Sequence, residues 1–70
     1  MSYYLVHRFG PHDLPERRRE RFPTQDDAVA RAFAHLAGGA HGEFCIEDDD
    51  GRVTVNELQI RRRYRASRMS

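Results

Sequence analysis

The residues of this 70-residue chain best suited to chemistry are its arginines, which form two clusters. Residues 17–21 carry four of them, and residues 61–68 combine five more with a tyrosine. Guanidinium groups bind phosphates and carboxylates, and an aromatic ring stacks on bases. The clusters therefore predict contacts with a nucleic acid or a protein partner. The candidate contact residues are Arg17, Arg19, Arg21, Arg61, Arg62, Arg63, Tyr64 and Arg65.

The distribution of charge weighs against a general nucleic-acid surface. All twelve cations are arginine, so arginine at any one position is weak support for a specific contact. Residues 1–60 hold seven arginines against eleven acids, whereas residues 61–70 hold five arginines and no acid. The overall pI of about 8.0 lies below the pI above about 9 that is typical of nucleic-acid-binding domains. The pattern indicates an acidic body with a basic tail.

The acidic turn before Gly51 invites comparison with a calcium loop. Placing Gly51 at the sixth loop position puts Asp48 and Asp50 at the third and fifth, and Glu57 at the twelfth. The first position is then Ile46, whose side chain has no ligand atom. We therefore interpret the segment as a solvated turn.

Four histidines and one cysteine are the remaining candidate metal ligands: His7, His12, His35, His41 and Cys45. Their spacing matches no recurring zinc pattern, and a second cysteine is missing. We expect His35 on the outer face of a helix and His41 in a glycine-rich turn. The sequence predicts no metal site.

Cys45 would need an electropositive setting to act as a nucleophile, because the thiolate is the reactive form. Strand alternation instead puts Glu43 and Glu47 beside it, and their negative charge raises the pKa of the thiol. A chain of this size also has little volume for a pocket that excludes water. We predict no catalytic residue, no cofactor, no small-molecule ligand and no enzyme activity.

Size and composition indicate one small domain that gains stability from a partner. A domain of this length buries only about 60% of its unfolded surface. The lone cysteine excludes an internal disulfide and suits a reducing compartment. The first residues lack signal-peptide features, and no apolar run approaches the roughly 20 residues that cross a bilayer. We predict a cytoplasmic protein without membrane association.

Two segments before residue 23 have the composition of strands. Residues 3–9 are aromatic and branched, and their two partly apolar faces indicate a central strand or a strand whose second face is covered. Residues 16–22 alternate so that three arginines point to solvent and Phe22 contacts the core. Charge along such an edge strand also resists unwanted pairing.

The strongest signal is a helix that begins after Thr24. Thr24 is a good N-cap, Asp27 occupies the capping-box position, and Gly38-Gly39 supplies a left-handed C-cap. Asp27 and Arg31 are four residues apart and are expected to pair. Apolar residues at three- and four-residue spacing form one face: Ala28, Val29, Ala32, Phe33, Leu36 and Ala37.

A hairpin and a second helix complete the pattern. Residues 43–47 and 52–55 flank an Asp-Gly turn. After Val55 the alternation breaks, which a bulge or a new helix explains. For residues 56–66 we favour a helix over a strand, because Asn56 and Gln59 have capping-box spacing. The hairpin residues expected in the core are Phe44, Ile46, Val53 and Val55.

Together these elements predict an α+β fold: a small antiparallel sheet of three to four strands with one main helix on one face and a short C-terminal helix. Residues 1–60 would form a single domain, and residues 61–70 a basic C-terminal tail or helix end. The Phe-Pro-Thr sequence at 22–24 and the Asp-Gly-Arg turn at 50–52 resemble small bacterial β-α-β-β domains of uncharacterised function. This resemblance covers residues 3–55, and it implies a fold without implying an activity.

We therefore expect a protein-interaction or accessory module that forms a homodimer or binds another protein. The sheet face without a helix would expose either Tyr4 and Val6 or Tyr3 and Leu5, and a second copy would cover them by two-fold symmetry. The basic tail would pair with the acidic turn of a neighbour. The alternative is a nucleic-acid-binding accessory protein that uses residues 17–21 and 61–68.

Overall fold

The computed structural model describes residues 1–11 and 13–69, which form a four-stranded antiparallel sheet and two helices. His12 and the last residue of the basic tail, Ser70, lie outside the described residues. The strand order is β2-β1-β3-β4. The predicted α+β fold with a short C-terminal helix is confirmed. The elements are β1 (Tyr3–Phe9), β2 (Glu16–Phe22), α1 (Gln25–Ala37), β3 (Glu43–Asp48), β4 (Val53–Val55) and α2 (Glu57–Met69).

Both helices pack on one face of the sheet, here called the helix face, and the core lies between the two layers. β1 is central and pairs along its length with β2 and β3. The small alanines of α1 bring its backbone close to the sheet, and Phe22 and Phe33 pack at the margin. The buried core consists of Leu5, Ala28, Val29, Ala32, Phe44, Ile46, Val55 and Ile60.

α1 runs back along β2 because only two residues, Pro23 and Thr24, separate the strand from the helix. The Thr24 hydroxyl accepts a hydrogen bond from the Asp27 amide at 3.1 Å, which confirms the predicted N-cap. At the other end Gly39, with φ of +80°, takes the left-handed conformation that ends many helices.

The surface of α1 differs from the prediction at three positions. Arg31 pairs with Glu20 of β2 at 3.8 Å, rather than with Asp27, because the helix lies directly above that strand. Ala37 is exposed, since it falls at the margin of the apolar stripe. His35 is half-buried rather than outward, because it continues the Ala28–Ala32 stripe down onto the sheet.

The β3–β4 hairpin has the predicted turn but an irregular register. The Asp48 carboxylate accepts hydrogen bonds from the Asp50 and Arg52 amides at 2.9 and 3.0 Å. A register shift between Ile46 and Glu47 puts Val55 opposite Ile46 and Val53 opposite Glu47. The prediction that Val53 faces the core is therefore wrong, and its side chain is 54% exposed.

α2 begins with the predicted capping box and is continuous to Met69. The Asn56 side chain accepts from the Gln59 amide, and the Gln59 side chain accepts from the Asn56 amide, both at 2.9 Å. Ile60 is fully buried, and the Tyr64 ring lies 5.5 Å from that of Phe33. Within the described residues, no helix has the length and apolar composition that crossing a membrane requires.

We expect the docking of α2 to depend on Ile60, and Leu58 provides a control in the same helix. Ile60→Ala should lower the free energy of unfolding by about 2–5 kcal/mol, because it leaves a cavity in the core. Leu58→Ala should change it by less than about 0.5 kcal/mol, because Leu58 is 59% exposed. Urea unfolding followed by circular dichroism measures both values. Equal losses would contradict the docking of this helix.

Candidate partner-binding surfaces

The sheet face opposite the helices, here called the open face, is built from alternate residues of β1, β2 and β3. β1 contributes two apolar or aromatic residues at its centre, and the flanking strands contribute opposite charges. Three rows cross the strands in the order β2, β1, β3: Arg21–Tyr4–Glu47, Arg19–Val6–Cys45 and Arg17–Arg8–Glu43.

Glu47 joins two of these arginines in an ion-pair cluster. Its carboxylate lies 3.2 Å from the Arg17 guanidinium and 3.8 Å from that of Arg19. The residue is 7% exposed although it is charged. Two cationic partners offset the cost of removing this carboxylate from water.

The ion-pair cluster covers the apolar residue at the centre of the open face. Arg17 and Glu47 are two rows apart on opposite sides of β1, so the bridge between them crosses above Val6. Val6 is 0% exposed, and the Arg19 guanidinium lies 4.2 Å from the centre of the Tyr4 ring. The prediction that Tyr4 and Val6 need a second copy to cover them is therefore wrong for Val6, which is buried within the single chain.

The arginines of β2 divide between the two faces of the sheet. The predicted residues Arg17, Arg19 and Arg21 are brought together on the open face, where Arg21 donates to the Ser2 hydroxyl at 2.8 Å. Arg18 lies on the helix face beside His7, with its guanidinium 5.4 Å from the Phe9 ring. β2 therefore places guanidinium groups on both faces of the sheet, and those of Arg17 and Arg19 reach across β1 to Glu47.

A groove runs between β2 and α1, here called the α1–β2 groove, and the sequence analysis did not identify it. Its first cavity, of about 360 Å³, is lined by Leu5, His7, Arg18, Arg19, Glu20 and His35. Its second cavity, of about 350 Å³, is lined by Phe22, Asp27, Ala30, Arg31 and Ala34. The Glu20–Arg31 ion pair involves one residue from each lining and lies between the two cavities.

The histidines pack with aromatic rings at the first cavity. The His7 ring stacks on Phe44 at 4.2 Å, and the His35 ring lies 6.0 Å from His7. The His7 Nε2 atom donates to the His41 carbonyl at 2.7 Å, since a carbonyl oxygen can only accept. Among the described residues, no three histidine, cysteine, aspartate or glutamate side chains are grouped as metal ligands would be.

Cys45 lies half-buried on the open face. Its burial raises the pKa of the thiol above the ordinary value of 9.0, and the nearby Glu47 carboxylate raises it further. The thiol is therefore protonated at neutral pH, which is unfavourable for nucleophilic chemistry.

The acidic turn uses its carboxylates within the fold. Asp48 caps the turn, and the Asp49 carboxylate accepts a hydrogen bond from the Ser2 amide at 2.9 Å. These contacts tie the chain's first residues to the β3–β4 hairpin.

The second arginine cluster lies on α2, which packs against β3 and α1 on the helix face. It is therefore separated by the sheet from the open-face arginines of β2. Arg61 pairs with Glu57 and donates to the Gly42 carbonyl at 3.3 Å. Tyr64 is half-buried between Phe33 and Arg68. Four exposed arginines of this helix take part in none of the ion pairs formed by the described residues: Arg62, Arg63, Arg65 and Arg68.

We expect Glu47→Gln to destabilise the domain by about 1–2 kcal/mol, because it leaves Arg17 and Arg19 without their carboxylate. This loss of stability should be smaller than the roughly 3–5 kcal/mol that breaking a fully buried ion pair costs, since both arginines are half-exposed. Glu43→Gln, on the same strand and face but exposed, should cost less than about 0.5 kcal/mol. Urea unfolding at low and high salt tests this, and equal effects of the two variants would refute it.

One family model, described as an uncharacterised protein conserved in bacteria (DUF2188), matches residues 14–54 of the chain. No curated protein and no solved structure matches the chain. The matched residues include all of β2, α1 and β3, and thus both walls of the α1–β2 groove. They make up more than half of the chain, and the resemblance to bacterial domains of uncharacterised function is confirmed. The chain belongs to the DUF2188 family of uncharacterised bacterial proteins.

Proposed function

We propose that this chain is a small, non-catalytic protein-interaction module of the bacterial cytoplasm and that it self-associates. The observation that supports this proposal is the contrast between the two edges of the sheet. β2 ends the sheet with a seven-residue edge rich in arginine, and β4 ends it with three uncharged residues. An unpaired strand edge offers a row of amide and carbonyl groups to another chain.

The β4 edge is the one that suits a second copy. Two β4 strands paired antiparallel about Thr54 would bring Thr54 opposite Thr54 of the other copy, with no like charges in contact. Val53 is 54% exposed. Such pairing would extend the sheet across the dimer and shield Val53 from water.

We expect sedimentation velocity to detect a reversible dimer at concentrations of about 10 µM and above. Val53→Lys should weaken the dimer by about tenfold or more, because it places two cations beside the two-fold axis. Leu14→Lys, at a loop residue that is 73% exposed, adds the same charge elsewhere and should leave the dimer intact. A protein that stays monomeric at all concentrations, or equal effects of the two variants, would contradict the proposed self-association.

The exposed arginines of α2 support a second candidate function, nucleic-acid binding. α2 carries five arginines and one glutamate, and its outward-facing guanidinium groups lie outside the ion pairs of the described residues. Phosphates would bind this helix through charge alone, since Tyr64 contacts Phe33. The β2 cluster would contribute little, because Arg17 and Arg19 are paired with Glu47.

Fluorescence anisotropy of labelled single-stranded RNA tests this second candidate. Binding should weaken with added salt, and the combined change of Arg62, Arg63 and Arg65 to Gln should reduce the log–log salt slope by about two. Arg52→Gln, in the hairpin turn, serves as a single-charge control. Absence of binding at low salt, where electrostatic attraction is strongest, would eliminate this function.

A further inference from the structure

We propose that the β2 edge and the α1–β2 groove bind an extended acidic segment of another protein, which adds to the sheet as a fifth strand. This inference rests on the proposed function as a protein-interaction module and names the partner's chemistry. Edge strands that lie beside a helix groove take peptides in this way: backbone hydrogen bonds supply affinity, and side-chain pockets supply specificity.

The spacing of β2 and α1 makes the groove regular. Three pairs of residues face each other along it: Phe22 with Asp27, Glu20 with Arg31, and Arg18 with His35. Two residues of strand rise about 6.7 Å and four residues of helix rise about 6 Å, so the two walls stay in step. A strand added to β2 would lie alongside both β2 and α1.

The two cavities lie at the outer pairs, so they would receive side chains four residues apart on the added strand. Alternate side chains of a strand point to one face, which makes a four-residue separation compatible with both cavities. The length of β2, seven residues, is enough to span them.

The first cavity is suited to a carboxylate. Arg18 and two imidazoles line it, and its acidic residue, Glu20, is already paired with Arg31. On the open face, Arg17 and Arg19 reach inward over β1 to Glu47, so Arg18 is the arginine of this strand that lines the groove. An acidic side chain of the added strand would therefore meet Arg18 in this cavity.

The second cavity is suited to an apolar side chain. Phe22, Ala30 and Ala34 contribute its apolar lining, and the opposite charges of Asp27 and Arg31 leave it without net charge. A leucine or valine four residues from the acidic residue would fill it.

The same charges disfavour a second copy of this chain at β2. Antiparallel pairing of two β2 strands about Arg19 would put Arg19 against Arg19 and Arg17 against Arg21, which makes three like-charge contacts against two contacts of opposite charge between Arg18 and Glu20. Like charges directly opposite each other destabilise strand pairing. The occupant we infer is therefore an acidic segment of a different protein.

Labelled seven-residue peptides with Glu and Leu four residues apart, in both orders and flanked by Asp and Thr, provide the probe. Fluorescence anisotropy with the full-length protein should show that the peptide with one of the two sequence orders binds, with a Kd of about 10–100 µM at low salt. Arg18→Glu should weaken it by about tenfold or more. Arg62→Glu, the same charge change on α2, should change it less than about twofold. Circular dichroism and urea unfolding verify that both variants are folded.

Methylation of the peptide amides tests the added strand itself. Only alternate amides of an edge strand bond to its neighbour, so methylating one alternate set should abolish binding and methylating the other should not. Equal sensitivity of both sets, or equal losses with Arg18→Glu and Arg62→Glu, would overturn the proposal. Displacement of the peptide by single-stranded RNA of equal charge would assign the surface to nucleic acids and also overturn it.

The Val53→Lys variant separates this inference from the proposed self-association. Peptide binding that persists in this variant supports an independent site at β2. If wild-type dimers form but no peptide binds below about 1 mM, the inference about β2 fails while the proposed function stands. If neither dimers nor peptide complexes form, both fail.

Discussion

The ion pairs of Glu47 with Arg17 and Arg19 are the interaction on which the open face depends, because both helices pack on the other face of the sheet. β1 is the central strand and has apolar or aromatic residues on both faces, yet both helices lie on one side. On the other side, Val6 lies among side chains of the neighbouring strands, including Cys45 of β3 and Val53 of β4. The Glu47 carboxylate holds the guanidinium groups of Arg17 and Arg19 on this face, and that of Arg19 lies over the Tyr4 ring. The interior position of Glu47 is tolerable because two cations face it.

The second constraint is the short link between β2 and α1. Two residues cannot carry the chain far, so α1 must turn back directly over the strand that precedes it. This return puts Arg31 above Glu20 and His35 above the region of His7. The α1–β2 groove is thus a consequence of connectivity, and its lining depends on which residues of β2 alternate toward the helix. The family match, which spans the strand, the link and the helix together, covers this whole unit.

Local signals made most of the fold predictable. Thr24, the Asn56–Gln59 capping box and the Asp-Gly turn act within a few residues, and each has the predicted hydrogen bonds or conformation. The errors arose where distant residues decide the outcome. The exposure of Val53 follows from a register shift against β3, which alternation within β4 alone does not reveal. The burial of Val6 and the groove likewise depend on contacts between strands and helices far apart in sequence. One local signal pointed to the groove: strand alternation places Arg18 on the opposite face of the sheet from Arg17 and Arg19.

The arginines of β2 have different roles that the amino-acid composition alone does not distinguish. Arg17 and Arg19 have a structural task on the open face, so their presence needs no ligand to explain it. Arg18 has no carboxylate partner among the ion pairs of the described residues and faces the groove instead. One strand thereby divides its charge between covering β1 and presenting a cationic edge. Because Glu47 holds Arg17 and Arg19 over β1, a partner strand at the outer edge would contact Arg18 and the groove and would leave the ion pairs of the open face intact.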